Sequence, residues 1–329
     1  MNLIITDRCN RSCPYCFARE KVRLSGGAAR SRLMSFEELE YCVDFLVRSG
    51  VPELKLLGGE PTTHPEFGRF VDAGIARGRH VTVFTNGLWS KTVLAYVRNN
   101  SSPLVSFLFN VNEPDTQPAL ENRKQAESLR LAGARGMLGF NLYRADFDLR
   151  FAIELIDRHE LKREIRLGVA HPIAGSENQF VSDEDLPRLG DRLLAQLDEL
   201  ERHDILGALD CGFPLCMFPE DRFGRLVNNL RPGNFSLCRP IIDVGPGLTA
   251  WPCFPLGGLL NVNLRDFKNR EELMAHYESK LAAVRGLGFI DRCLDCKYRT
   301  RGQCCGGCVA RTLRNWMKNG DESLMEKLR

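Results

Sequence analysis

The chain has 329 residues, 43% hydrophobic and 26% charged, an ordinary globular composition with length for one large core and a smaller second domain. A formal net charge of +3 leaves no footprint of nucleic-acid binding, and no apolar run reaches membrane-spanning length. Met1 leads straight into an apolar run with no signal peptide, so a cytoplasmic location is expected, and in that reducing compartment thirteen cysteines argue for metal ligation over disulfides.

The first run, Asn2-Leu-Ile-Ile-Thr6, reads as a short buried strand. It feeds Cys9-Asn-Arg-Ser-Cys13-Pro-Tyr-Cys16, after which the chain turns polar and basic until a helix begins near Ser35. Three cysteines therefore share one long loop. A disulfide accounts for two of them, and a zinc site normally takes four ligands in pairs. Three thiolates suit three irons of a [4Fe–4S] cube and leave the fourth iron open to a substrate or cofactor. A zinc or disulfide knot is the alternative. Ser25-Gly-Gly-Ala-Ala29, farther along the loop, reads as a mobile cover over the same face.

Phe36 to Arg48 reads as a helix with Phe36, Leu39, Cys42, Val43 and Leu46 on one face, capped by Ser35 with Glu38 three residues on. Cys42 reads there as a small core residue. Strands then alternate with helices. Glu53 to Leu57 precedes a helix from Glu66 to Arg77, and His80 to Phe84 one from Ser90 to Arg98. Leu104 to Phe109 precedes Gln117 to Leu131, and Met137 to Leu142 precedes Asp148 to Arg158. Glu164 to Val169 is followed by a long helix from Ser182, a cap, to Arg202. Six strand–helix units in a row argue a parallel α/β architecture with functional residues at the C-terminal ends of the strands. After about Ile205 the periodicity fades while Gly, Pro and Cys rise, which divides the chain into 1–205 and 206–329.

Gly58-Gly59-Glu60-Pro61 follows the second strand; its glycines let backbone approach a ligand, and Glu60 can accept from an ammonium group, although a plain turn into a helix is an equal reading. Thr85-Asn86-Gly87 follows the third strand and Asn110-Val-Asn112 the fourth. Asn141 ends the fifth and Arg166 lies in the sixth. His171, after the sixth strand and beside Pro172, reads as a turn residue, with a place facing the substrate cavity as the alternative. The cysteine loop with an aromatic before its last Cys, followed by Gly-Gly-Glu-Pro, resembles the radical S-adenosylmethionine (SAM) superfamily. That resemblance implies a partial (β/α)6 TIM-type barrel and a [4Fe–4S] cluster on Cys9, Cys13 and Cys16 whose open iron is chelated by SAM. It also implies that one electron from the cluster cleaves SAM to methionine and a 5′-deoxyadenosyl radical, which abstracts a hydrogen atom from substrate. By the same resemblance Tyr15 and Phe17 cover the adenine, and Gly58, Gly59, Glu60 and Pro61 receive the methionine amino group. Thr85, Asn86, Asn110 and Asn112 face the ribose or carboxylate, with Asn141 and Arg166 as weaker candidates; no catalytic residue is assigned.

Nine cysteines fall between Cys211 and Cys308: Cys211, Cys216, Cys238, Cys253, the pair Cys293-Leu-Asp-Cys296, and Cys304-Cys305-Gly-Gly-Cys308. Zinc ribbons are one reading of such pairs. The tail also resembles the SPASM domain of radical SAM peptide maturases, which implies one or two auxiliary [4Fe–4S] clusters. By positional match the nearer takes Cys216, Cys238, Cys253 and Cys308, and the second Cys293, Cys296, Cys304 and either Cys305 or Cys211. The chain departs from that pattern in a longer gap from Cys296 to Cys304, one extra residue between Gly247 and Cys253, and no cysteine after Cys308. Sulfatase-maturing relatives carry an acid directly after the cysteine matching Cys253; here Phe254 stands there. The expected function is oxidative crosslinking of a ribosomally made peptide, through a thioether, ether or carbon–carbon bond. The alternatives are a radical dehydrogenase or epimerase acting on a small molecule or sugar, and an iron–sulfur electron carrier. Expected partners are the substrate and a flavodoxin- or ferredoxin-like electron donor; since the first strand begins at Asn2 without a leader-binding extension, a peptide leader is expected to be held by the core or by a separate leader-binding protein, and neither nucleic acid nor membrane is expected.

Overall fold

The structure is a computed structural model that describes residues 1–18, 23–24, 32–173, 177–224 and 238–318. The expected mobile segment at 25–29 lies outside the described residues. Strand β1 (Asn2–Ile4) leads into the cysteine loop, which carries two short paired strands, β2 (Arg8–Cys9) and β3 (Arg23–Leu24). The ends of the loop are closed by Thr6 bridging to Leu33 and by the Asp7 amide donating to the Arg32 carbonyl.

Six strand–helix units follow one another. Helix α1 (Phe36–Arg48) starts at the expected capping box, in which the Glu38 amide donates to Ser35 and the Ser35 amide to the Glu38 carboxylate. Then come β4 (Glu53–Leu57), α2 (Phe67–Ala76), β5 (His80–Thr85), α3 (Lys91–Asn99), β6 (Val105–Val111) and α4 (Ala119–Ala132). After these come β7 (Gly136–Leu142), α5 (Arg150–His159), β8 (Glu164–Val169) and α6 (Leu186–Arg202). Ser182 does not cap α6. Pro187 lacks an N–H and fits only the first turn, so the helix starts at Leu186, while Ser182 takes the Asp185 amide in the turn before it.

Strands β1, β4, β5, β6, β7 and β8 pair in parallel in chain order, giving the partial TIM-type barrel. The sheet continues past Ile205. Strand β9 (Leu206–Leu209) pairs in parallel with β8, so the division expected after 205 falls inside the sheet. The chain then crosses to the other edge, where β10 (Asp243–Val244) runs parallel to β1 and the buried Asn2 amide donates to Asp243 at 2.7 Å. Strands β11 (Thr249–Trp251) and β12 (Val262–Asn263) add antiparallel pairings beyond it. The tail also carries the helices α7 (Arg270–Leu287), α8 (Lys297–Thr300) and α9 (Val309–Lys318). The buried residues of α7 and α9 join the same core as the sheet, and Cys42 is fully buried within it. Among the described residues no helix is long and apolar enough to cross a membrane.

Candidate active site and cysteine sets

All parallel strands point their C-terminal ends to one face, and the cysteine loop lies across that face because it leaves the end of β1. Backbone bonds dock the loop on the Gly-Gly-Glu-Pro turn after β4. The Gly59 amide donates to the Thr6 carbonyl at 2.9 Å and the Glu60 amide to the Arg8 carbonyl at 2.7 Å. A Cβ at Gly59 would lie 2.2 Å from the Arg8 oxygen and 2.9 Å from Cys9 Cβ, so only glycine permits this approach. Gly59→Ala is therefore expected to push the Cys9 segment outward at a cost of about 1–3 kcal/mol, read as a lower denaturation midpoint together with weakened iron retention. An unchanged midpoint would contradict that close approach.

Glu60 is buried, and its carboxylate joins two strand ends. Oε1 accepts from Thr62 Oγ1 at 2.6 Å, Thr85 Oγ1 at 2.7 Å and the Thr62 amide, and Oε2 from the Asn86 amide at 2.7 Å. Burial raises its pKa, and these donors oppose that rise. Pro61 opens the short 3-10 turn that follows. Asn86 in turn reaches the cysteine loop, its Nδ2 donating to Asn10 Oδ1 at 2.7 Å while Asn10 Nδ2 donates to the Leu88 carbonyl. Two of the sequence-predicted motifs thus meet the cysteine loop directly.

The inside of the sheet gathers the others. The Tyr15 hydroxyl donates to Asn112 Oδ1 at 2.5 Å, Asn141 hydrogen-bonds the same tyrosine, and the Tyr15 ring stacks on Tyr143. Asn110 leans over Gly139, its register partner on β7. Arg166 pairs with Asp210 just beyond β9 and extends over the Phe84 ring. Phe17 is half-buried on the loop. Sequence reasoning missed Asp210, and it missed Arg11. The latter is buried between the first two cysteines, bonds Glu121 through Nε at 3.0 Å, and leaves both terminal nitrogens without a partner. A basic residue inside the cysteine motif was the available signal for it.

The Cys9 thiol is pushed up to about 12, first by burial, and both Cys13 and Cys16 lie within its electrostatic range. Burial raises Cys13 as well. A bound metal inverts this preference by stabilising thiolates. Three neighbouring thiols on a loop held by backbone bonds fit the [4Fe–4S] cube expected there. Among the described residues no three His, Cys, Asp or Glu side chains converge on a single-ion site.

The tail thiols fall into two sets, divided differently from the positional match. Cys211 follows β9 on the same face as the cysteine loop. It lies within electrostatic range of Cys238, Cys253 and Cys308, and those three lie within range of one another. Cys238 and Cys308 share a hydrogen bond that lowers the first thiol to about 7 and raises the second. Cys216, expected in this set, instead neighbours Cys293 and Cys304. His171 belongs to the first neighbourhood: a Cβ at Gly212 would touch its ring at 2.5 Å and Cys308 Cβ at 3.3 Å. Burial holds the His171 ring neutral by lowering its pKa to about 3, so it is a packed residue of this junction rather than a simple turn histidine. Asn178 links the two regions, donating to the carbonyls of both Tyr15 and His171. A cavity of about 260 Å³ opens between the barrel and the tail, lined by Thr6, Gly58, Gly59, Trp251, Phe254 and Asn261.

Residues 3–137 match the Radical SAM superfamily. The chain carries a radical SAM domain. Proteins of this superfamily use a [4Fe–4S] cluster and SAM, and the three-thiol loop and the motifs that end β4, β5 and β6 fall within residues 3–137. The solved structure of Streptococcus suis SuiB bound to S-adenosylmethionine superposes with a TM-score of 0.64 at 15% identity, covering 94% of this chain and 72% of that one. SuiB bound to its precursor peptide SuiA gives 0.62 at 14% identity over 84% and 66%. At these identities the likeness is one of fold, and it extends into the tail. Curated relatives match shorter stretches. GTP 3′,8-cyclase of Acidothermus cellulolyticus is 36% identical over 72 residues, 22% of this chain and 20% of its own length. That of Geobacter sulfurreducens is 27% identical over 142 residues, 41% and 43%. The matches thus span from a fifth to about two fifths of those relatives.

Proposed function

We propose that this protein is a radical SAM enzyme that crosslinks a ribosomally made peptide, using a tail cluster to remove an electron from the substrate. The observation that carries this reading is the placement of two thiol groups on one face of the sheet: Cys9, Cys13 and Cys16 after β1, and the set containing Cys211 after β9. When bound, a cube held by Cys9, Cys13 and Cys16 would supply one electron for cleavage of SAM to methionine and a hydrogen-abstracting radical, and a cube held by the set containing Cys211 would take up the electron released as the substrate radical forms its new bond and loses a proton.

The chain's own residues would do the positioning. Gly58 and Gly59 bring backbone close to the cofactor, Tyr15 is fixed by Asn112 and Asn141, and Arg11 offers buried guanidinium nitrogens to a carboxylate. Phe254 replaces the acid that the sulfatase-maturing pattern calls for and lines the cavity between barrel and tail, which favours ring or thioether closure over simple alcohol or thiol oxidation. Peptide as substrate is supported by the fold shared with SuiB, whose solved complex holds a precursor peptide. A second reading, chemistry on a small molecule, is favoured by the GTP 3′,8-cyclase names of the curated relatives. A flavodoxin- or ferredoxin-like donor and a separate leader-binding protein belong to the peptide reading.

Co-expression with a short Cys-, Ser- or aromatic-rich open reading frame beside the gene, followed by mass spectrometry, tests the substrate class. The expected product has lost a pair of hydrogens per crosslink. A peptide left unmodified, together with turnover of GTP, would favour the small-molecule reading instead.

A further inference from the structure

The Cys216 thiol sits on a short turn, Leu215–Met217, that leaves the barrel after β9. Two contacts fasten the chain just beyond it to the Cys293–Cys308 segment. Glu220 pairs with Lys297 at 2.9 Å, and the Phe223 ring meets the Tyr298 ring edge-on at 5.4 Å between centroids. Both partners belong to α8, the single helical turn directly after Cys296. That turn also absorbs the long gap to Cys304, because the amides of Gln303 and Cys304 fold back onto the Tyr298 carbonyl. Cys293 is held at the other side, where Arg299 Nη1 donates to its carbonyl at 2.8 Å. Gly288, at a φ of +73°, leaves room for the Cys293 side chain, since a Cβ there would come within 2.3 Å of Cys293 Cβ. Cys216, Cys296 and Cys304 are each partly exposed and Cys293 is buried.

From this arrangement we infer that Cys216, Cys293, Cys296 and Cys304 hold a second auxiliary iron–sulfur cluster, with Cys216 supplying its fourth ligand from upstream. The inference rests on the auxiliary-cluster reading above and goes beyond it in the ligand set. The resemblance places the last ligand after Cys308, whereas here the geometry supplies it from the turn that follows β9. Cys305 is turned elsewhere: its sulfur accepts the Cys238 amide at 3.1 Å and lies 3.4 Å from the Gly307 carbonyl, so it buttresses the first set. Cys211 is taken by that first set, being within range of all three of its other members. Four thiols then remain for the second cube, one for each iron. The connection has a structural consequence as well, because a cluster on these four residues would tie the end of the barrel sheet to the cysteine-rich tail.

The test uses full-length protein carrying Cys9, Cys13 and Cys16 as Ala, so that only tail clusters contribute, reconstituted anaerobically and read by iron content and by electron paramagnetic resonance after reduction. The parent should hold about eight irons, four per cube, with two overlapping signals. Cys216→Ser should change or remove one signal, with a loss of up to about half of the iron, because the iron left without its thiolate is released or takes an oxygen ligand, and Cys211→Ser should change the other signal. Cys305→Ser should keep both. Thermal melts of each variant separate loss of a ligand from loss of the fold, and Cys216→Ala repeats the measurement without a hydroxyl that can substitute for sulfur. Full iron and both signals in folded Cys216→Ser and Cys216→Ala, with loss in Cys305→Ser, would overturn the ligand set alone. A parent that carries no tail iron would overturn the auxiliary-cluster reading and this inference together.

Discussion

Cys13→Ala is expected to abolish reductive cleavage of SAM while leaving the fold, and any iron held by the tail thiols, in place. Cys13 lies on a loop whose docking runs through other groups: the Gly59 and Glu60 amides, the Asn10–Asn86 bond, and the Gln179 amide on the Pro14 carbonyl. Among the described residues its thiol bonds the Tyr15 and Asn112 side chains, which also bond each other, so truncation should cost no more than about 1.5 kcal/mol. Losing one of three thiolates, by contrast, removes a protein bond to the cube and with it the site that SAM needs. The measurement is 5′-deoxyadenosine released by dithionite-reduced protein, set beside iron content and a thermal melt. Wild-type cleavage by a folded Cys13→Ala protein would refute the assignment of this loop.

Glu60→Ala should give the largest loss of stability. The substitution strands Thr62 Oγ1, Thr85 Oγ1 and the amides of Thr62 and Asn86 in a buried setting and opens a void among them. An unsatisfied buried donor costs about 1–3 kcal/mol, so a total of roughly 3–5 kcal/mol follows once partial relaxation is allowed. Glu60→Gln keeps the shape and one acceptor oxygen but turns an NH2 group toward a donor, so an intermediate loss of roughly 1–3 kcal/mol is expected. Chemical denaturation of both variants checks the order. Equal stability of Glu60→Ala and wild type would mean that the carboxylate is not the joint between the ends of β4 and β5.

The alternation of strands and helices was legible because each element carries its own period and punctuation. The Ser35–Glu38 capping box and the strand from Glu164 to Val169 stand where the sequence places them. The cysteine loop and the Gly-Gly-Glu-Pro turn were legible for the same reason, since their spacing is local. Strand β9 was not, because four residues, Leu206 to Leu209, carry too little period to register. The use of Glu60 also escaped sequence reading: its carboxylate could be expected to reach a ligand, yet its donors come from its own turn and from the end of β5. The division of the tail cysteines lay furthest from view. Cys211 and Cys216 are five positions apart, and only the path of the chain, closing β9 on one side and meeting α8 on the other, sends them to different sets.

The most direct test of the central claim is the yield of 5′-deoxyadenosine from the wild-type protein, reconstituted with iron and sulfide under anaerobic conditions, reduced with dithionite and supplied with SAM. The expected result is formation of 5′-deoxyadenosine and methionine in equal amounts, dependent on the reductant. Protein whose Cys9, Cys13 and Cys16 carry a reducible cube yet leave SAM intact, or whose three thiols bind zinc in place of iron, would contradict it.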